Sequence, residues 1–195
     1  MAAGSRLNEI QRRAVREDIE GTALRLFLAH GYDATTVDDV AAAVGTSRRT
    51  VFRYFETKED LVLASMRDKG RELVEAATAA SPEKDAREAL AEVLLGFAEE
   101  FDAGLPLSRR RAALLASTPS LQAALALKHL EWRAALGAAI SPRLRGARST
   151  RALRAEAIAG AALACLDVAA TLWAGDEGGP TLRRRLDVAL AALDD

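Results

Sequence analysis

The chain has 195 residues, half of them hydrophobic and only 5% aromatic, with a formal charge of −1. That length buries a sizeable core in one large or two small domains, and the near-neutral charge excludes indiscriminate nucleic-acid binding, which rests on a broad excess of Lys and Arg. A single cysteine, Cys165, excludes an internal disulfide and a thiolate metal cage, and the two histidines lack carboxylates at zinc-site spacing, so no metal and no cofactor is expected.

Alanine and leucine dominate, which favours helices. No alternation of apolar and polar residues is long enough for a strand, so the expected fold class is all-α. The start, MAAGSRLNEIQRR, has no hydrophobic signal core, and no sustained run of eighteen apolar residues is found along the chain. A cytoplasmic protein with no membrane partner is expected.

The first helix is predicted over Gln11 to His30, or from as early as Asn8, with Val15, Ile19, Ala23, Leu26 and Phe27 on its inner face and Gly31 closing it. Residues before about Arg12 fit two readings, a mobile basic arm reaching a minor groove or a frayed terminus. Arg6, Arg12, Arg13 and Arg16 gather positive charge there.

Thr36 is a candidate N-cap with Asp39 at the reciprocal capping-box position. The helix it opens, Val37 to about Val44, aligns Val37, Val40, Ala41 and Val44 in one apolar stripe. Gly45 allows the left-handed backbone that turns the chain, and Thr46 or Ser47 caps the next helix. Helix, glycine turn, helix is the helix-turn-helix pattern. In the second helix, Ser47 to Phe55, the expectation puts Val51, Phe52 and Phe55 inward and Arg49, Thr50, Arg53 and Tyr54 outward, with Arg48 at the helix start. Arginine's planar fork matches guanine O6 and N7, hydroxyls suit phosphate oxygens, and free amides at a helix N-terminus attract phosphate. The plainer alternative is a solvated basic face.

The residues Gly31-Tyr32, Thr35-Thr36-Val37, Val40-Ala41, Val44-Gly45, Ser47, Thr50-Val51-Phe52, Phe55 and Lys58 make this segment resemble the DNA-binding domain of the TetR family of bacterial transcriptional regulators. The resemblance covers about the first sixty-five residues. It implies base contact from Arg48 and Arg49, phosphate contact from Thr36, Thr50, Tyr54 and Lys58, and either from Arg53, with Thr46 and Ser47 at the turn completing the DNA-binding set. Two departures stand out: the family often has a small residue where Arg49 stands and a tyrosine where Phe52 stands. The implied architecture is a three-helix helix-turn-helix domain over residues 1–57, followed by a helical effector-binding and dimerisation domain over residues 58–195.

Downstream, Thr57 and Asp60 form a second capping box, opening a helix from Lys58 to about Ala77. Five further helices are predicted, Pro82 to Ala103, Leu107 to Ser117, Pro119 to Ile140, Thr150 to Ala174 and Thr181 to Leu193, with Thr118 and Ser149 as N-caps. The tract AEAIAGAALACLDVAATLWA is apolar nearly all round and needs cover on several sides. It is either the centre of the monomer core or, with Leu186, Leu190 and Leu193, half of a two-fold four-helix interface. The TetR resemblance, in which the last two helices dimerise, favours the second.

Nothing in residues 80–195 has a catalytic pattern, so no enzyme is expected. The resemblance places Phe97, Phe101, Leu114, Leu115, Leu125, Trp132 and Trp173 around an effector site, with His129, Cys165 and Asp167 as candidate polar anchors. Each also fits a plain core or surface role. The tracts SRRTVFRYFETKEDL and LSRRRAALLASTP are similar to actinobacterial members of the family, including the mycofactocin-associated regulators. That similarity implies a small hydrophobic effector such as an acyl-CoA, with Arg109, Arg110 and Arg111 as candidate phosphate ligands, although three adjacent arginines cannot all face one way on a helix. The expected function is a homodimeric repressor that leaves a palindromic operator when its effector binds. The alternative is an all-helical lipid- or partner-binding protein with a non-functional DNA module.

Overall fold

A computed structural model of the chain describes residues 2–104 and 106–193, apart from the side chains of residues 2–9, 65 and 67. Among the described residues there are α-helices, one short 3₁₀ turn and no strand. The chain divides into two compact units, Met1–Ser65 and Met66–Asp195.

The first unit holds α1 (Ala2–His30), α2 (Val37–Val44), α3 (Arg48–Tyr54) and the opening of α4 (Asp60–Ala79). Helix α1 begins well before Gln11, because Ala, Arg, Leu, Glu and Gln in the opening residues are all good helix formers. The residues ahead of Arg12 therefore continue a helix rather than form an extended arm; the side chain of Arg6 lies outside the described residues. The core joins Ile19, Ala23, Leu24 and Phe27 of α1 to Val40 and Ala41 of α2, Val51 of α3 and Phe55. Arg16 belongs to this packing: its Nη2 donates to the Ala64 carbonyl at 3.2 Å, and its guanidinium lies 5.8 Å from the Phe55 ring centre. The division between the units falls inside α4 rather than at residue 57, since Leu61, Val62, Leu63 and Ala64 are themselves buried.

The second unit adds α5 (Ala86–Ala103), α6 (Leu107–Ser117), α7 (Pro119–Ile140), a 3₁₀ turn (Ser141–Arg143), α8 (Arg148–Ala174) and α9 (Leu182–Ala191). Helix α5 starts later than Pro82 because Asp85 supplies a complete capping box. It accepts from the Arg87 and Glu88 amides at 2.8 and 3.0 Å, and Glu88 accepts from the Asp85 amide at 2.9 Å. The sequence expectation of Ser149 as a cap also fails, since α8 begins after Ala147 with no side-chain cap. Thr118 precedes α7 without a side-chain hydrogen bond, while Thr181 does cap α9 by accepting from the Arg184 amide. Asp102, near the end of α5, accepts from the Leu182 and Arg183 amides at 2.9 and 3.0 Å, so a carboxylate from one helix neutralises the positive end of another. At the opposite end of α4, Arg143 donates to the carbonyls of Ala80 and Ser81, both at 2.7 Å, and of Lys84 at 3.1 Å. One guanidinium thereby ties down the turn that follows α4 and, at 3.4 Å, reaches the Ala77 carbonyl in its last turn.

Helix α8 is the hub of this unit, packing against α5, α6, α7 and α9. By length and composition it is apolar enough to cross a bilayer, although Glu156 and Asp167 interrupt its apolar run. Its face of Ala155, Ala159, Ala162, Leu163, Leu166, Ala169 and Trp173 is buried, and small residues at three- and four-residue spacing let the neighbouring helices approach. That burial assigns it to a protein core. Val168 and Leu172 on the same helix, with Val188 and Leu193 near α9, stay exposed, whereas Leu186 turns inward and is fully buried rather than available to a second copy.

Close approach explains one glycine. A methyl group built at Gly70 in α4 would overlap the indole of Trp132 in α7, whereas one at Gly96 in α5 would meet nothing within 4 Å. Alanine for glycine gains about 1 kcal/mol of helix propensity, but forcing a buried aromatic aside costs about 1–3 kcal/mol. Chemical denaturation should therefore show Gly70→Ala destabilised and Gly96→Ala stabilised by up to about 1 kcal/mol; equal effects at both positions would contradict this packing.

Candidate nucleic-acid interface and effector cavity

The turn between α2 and α3 is built by local hydrogen bonds. The Thr36 hydroxyl accepts from the Asp39 amide at 3.2 Å, and the Asp39 carboxylate accepts from the Thr36 amide at 2.8 Å and its hydroxyl at 2.7 Å. The Thr36 side chain first, then its backbone, hold the Asp39 carboxyl below the usual carboxylate range. Gly45 ends α2 in the left-handed region at φ 73°, where a side chain would be strained, and the Thr46 amide donates to Ala41 at 2.8 Å. Ser47 then caps α3 by accepting from the Thr50 amide at 3.1 Å, and its hydroxyl also meets that of Thr50 at 3.0 Å.

The rotation of α3 follows from its two inward residues, Val51 at 0% and Phe55 at 3% exposure. Phe52 is not a third. It is 39% exposed and lies on the outer face, because one residue past Val51 is a 100° step around the helix. There Phe52 stacks beneath Arg48, whose guanidinium sits 5.3 Å from the ring centre and donates to Asp38 of α2 at 2.9 Å. Arg49 is exposed and, among the described residues, pairs with no carboxylate. Arg53 is exposed with its guanidinium 5.2 Å from the half-buried Tyr54 ring. The outward set is thus Arg48, Arg49, Phe52 and Arg53, flanked by Thr50 and Tyr54.

Lys58 is more tightly held than a surface lysine. Its Nζ donates to the Tyr32 carbonyl at 2.5 Å and lies 4.1 Å from the Tyr32 ring centre. An ammonium has three donors, so this contact leaves two. Sequence reasoning missed Asp38 and Phe52 as members of this surface, although the four-residue spacing of Arg48 and Phe52 was a usable signal.

The second unit contains a cavity of about 290 Å³. Of the residues the sequence suggested, Phe97, Phe101, Leu115, Leu125, His129, Asp167 and Trp173 line it and Leu114 does not; Met66 of α4, Gln122 and Leu182 join them. Trp132 does not line it. Its indole is buried against Gly70, meeting Phe97 edge-on at 6.4 Å and His129 at 5.2 Å between ring centres. Cys165 is likewise absent from the lining: its thiol donates to the Ala189 carbonyl at 3.3 Å, and burial pushes its pKa up, as expected of a small core residue. Among its polar lining residues, His129 and Asp167 pair, with Nδ1 3.1 Å from the carboxylate. Arg109 sits 4.9 Å from the centre of the Trp173 ring and donates to the Asp176 carbonyl at 2.5 Å.

Comparison with known proteins fits this arrangement. Residues 21–65 match the family model described as bacterial regulatory proteins, tetR family, and residues 84–195 match the MftR C-terminal domain. Among individual proteins the chain is 29% identical over 136 residues to MftR, the proposed mycofactocin biosynthesis transcriptional regulator of Mycobacterium tuberculosis, covering 70% of this chain and 69% of that protein. Two solved structures share the fold. One is the FadR repressor of Thermus thermophilus in complex with lauroyl-CoA, with 24% identity, TM-score 0.56 and 91% and 92% of the two chains covered. The other is FadR of Bacillus subtilis in complex with stearoyl-CoA, with 19% identity, TM-score 0.59 and 91% and 96% covered.

The capping box around Asp39 has a pH signature. A carboxyl whose folded pKa is depressed contributes stability that is fully present above its unfolded value, near 3.8, and is lost as pH falls through the folded value. Asp39→Ala should therefore melt earlier than the parent at neutral pH, with the gap narrowing as the solution is taken below that value. A gap unchanged from about pH 7 to about pH 3 would show that the Asp39 charge contributes nothing.

Proposed function

Because the chain belongs to the TetR family of bacterial regulatory proteins, we propose that it is a homodimeric repressor, working in the cytoplasm without enzymatic activity, that leaves a palindromic operator when a small hydrophobic effector enters its cavity. The observation that carries this reading is the outer face of α3, where Arg49 and Arg53 are exposed beside a serine-capped helix start. In a major groove Arg49 reads a guanine edge, and Arg48 does so after exchanging Asp38 for the base. Thr36, Thr46, Ser47, Thr50, Tyr54 and the remaining Lys58 donors hold phosphates, with Arg53 serving either role.

A second copy would cover the exposed Val168, Leu172, Val188 and Leu193, which supports a two-fold interface through α8 and α9. Two recognition helices then meet successive major grooves roughly 34–36 Å apart. Helix α4 is the route proposed for coupling, since Met66 lines the cavity and Leu61 to Ala64 are core residues of the same helix. Coupling of this kind is typically about 1–3 kcal/mol. The ligands of the two FadR neighbours put an acyl-CoA among the candidate effectors. Of the arginines expected to take its phosphates, Arg109 is engaged by Asp176 and Trp173, and Arg110 is exposed.

Selection of bound duplexes from a random library tests the reading. It should recover an inverted repeat, on which Arg49→Ala relaxes base preference at a loss of about 1–3 kcal/mol, while Lys58→Ala weakens all sequences alike. Lys58→Ala should also lower the melting temperature, since it removes the Tyr32 contact. Recovery of no enriched sequence would favour a lipid- or partner-binding protein with a non-functional DNA module. Paired substitution of Val168 and Leu172 by Asp should yield a monomer in sedimentation and abolish tight operator binding; a dimer surviving that change would place the interface elsewhere.

A further inference from the structure

Two polar atoms on residues that line the effector cavity are buried without a protein hydrogen-bond partner: Nε2 of His129 and Nε1 of Trp173. Buried polar atoms are ordinarily satisfied, and each exception costs about 1–3 kcal/mol, so two on residues that line one apolar cavity require an explanation. Their chemistry is complementary. The Asp167 carboxylate beside His129 Nδ1 only accepts hydrogen bonds when ionised, so Nδ1 is the donor of that pair, and a ring with a single N–H presents a lone pair at Nε2. The indole Nε1 of Trp173 only donates. The rest of the lining is mostly alkyl and aromatic, and a volume of about 290 Å³ lies at the small end of the roughly 300–1,000 Å³ usual for ligand sites.

We propose that the effector is a compact, largely apolar molecule carrying a hydroxyl group, which donates to His129 Nε2 and accepts from Trp173 Nε1. This rests on the reading of the cavity as the effector site. Asp167 is then a positioning residue, touching the ligand only through the tautomer it imposes on His129. The arrangement discriminates against pure hydrocarbons, which leave both atoms unsatisfied, and against ethers, which satisfy only the indole.

A series of matched probes tests this: 4-propylphenol, which donates and accepts; 4-propylanisole, which only accepts; and 4-propyltoluene, which does neither. Calorimetric titration of the full-length protein should rank them in that order, with about tenfold between the first and last. His129→Phe should bring the phenol down to the level of the anisole, and Trp173→Phe should bring the anisole down to that of the toluene. Asp167→Asn, whose amide can donate to Nδ1 and turn Nε2 into a donor, should narrow the gap between phenol and anisole without unfolding the protein. Equal affinity for the three probes in the unaltered protein overturns the proposal and needs no variant to fold. Binding and operator release by lauroyl-CoA but by none of the three would overturn the ligand class while leaving the cavity as the effector site. If neither the probes nor lauroyl-CoA bind or release DNA, the reading of the cavity itself fails.

Discussion

A helix of seven residues cannot hold its own shape or orientation in water, because nucleation costs more than so few hydrogen bonds return. Everything functional on the first unit depends on what holds α3 instead: the Val51 side chain sunk in the core, Phe55 just past the helix end beside it, and the Gly45–Ser47 turn that delivers the chain to that point. With those fixed, the faces of α3 have no freedom left. At about 100° per residue, burial of Val51 sends Arg49 and Arg53 to the opposite side and Phe52 to the flank, while Arg48 is exposed because it is the first residue of the helix. The same constraint gives Arg48 its neighbours, since a residue on this face lies within reach of Asp38 on α2 and of the ring one turn on. An exposed ion pair of this kind contributes little to stability, about 0–1 kcal/mol, so exchanging it for a base costs little.

The second unit solves a different problem. Helix α8 is apolar almost all round, and α5, α6, α7 and α9 cover one side of it while Val168 and Leu172 remain uncovered on another. One helix therefore connects the wall of the cavity, through Leu166 and Trp173, to the surface proposed for a second copy. Trp132 and Gly70 lock α7 against α4 at a contact too close for any side chain, and Arg143 closes the far end of α4. A ligand that disturbs Met66 thus acts on a helix braced at several points along the second unit.

Much of this was legible because it is local. Capping boxes at Thr36–Asp39 and Thr57–Asp60, the glycine after Val44 and the prolines at helix breaks act within three or four positions, so sequence spacing alone identifies them. Where two local signals compete, the boundary is misread: Ser81-Pro82 and Asp85-x-x-Glu88 are both helix-start patterns, and the reciprocal hydrogen bonds of the second prevail. Phe52 was misplaced because fewer than two turns of helix do not define a hydrophobic face sharply enough to assign a residue at its edge. The role of Trp132 was hidden for a different reason, since it is decided by a glycine more than sixty positions away. The two unsatisfied cavity atoms were beyond any reading of spacing, because they are defined by what fails to lie near them.

The central claim is that α3 reads base edges in the major groove, in two symmetry-related copies. Methylation protection at guanine N7 on a selected operator tests it most directly, since N7 faces that groove alone. The account predicts protected guanines in two clusters one helical turn apart, about 10 base pairs centre to centre. Guanine N7 positions that stay fully reactive in the bound complex, or protection confined to a single unrepeated cluster, would contradict it.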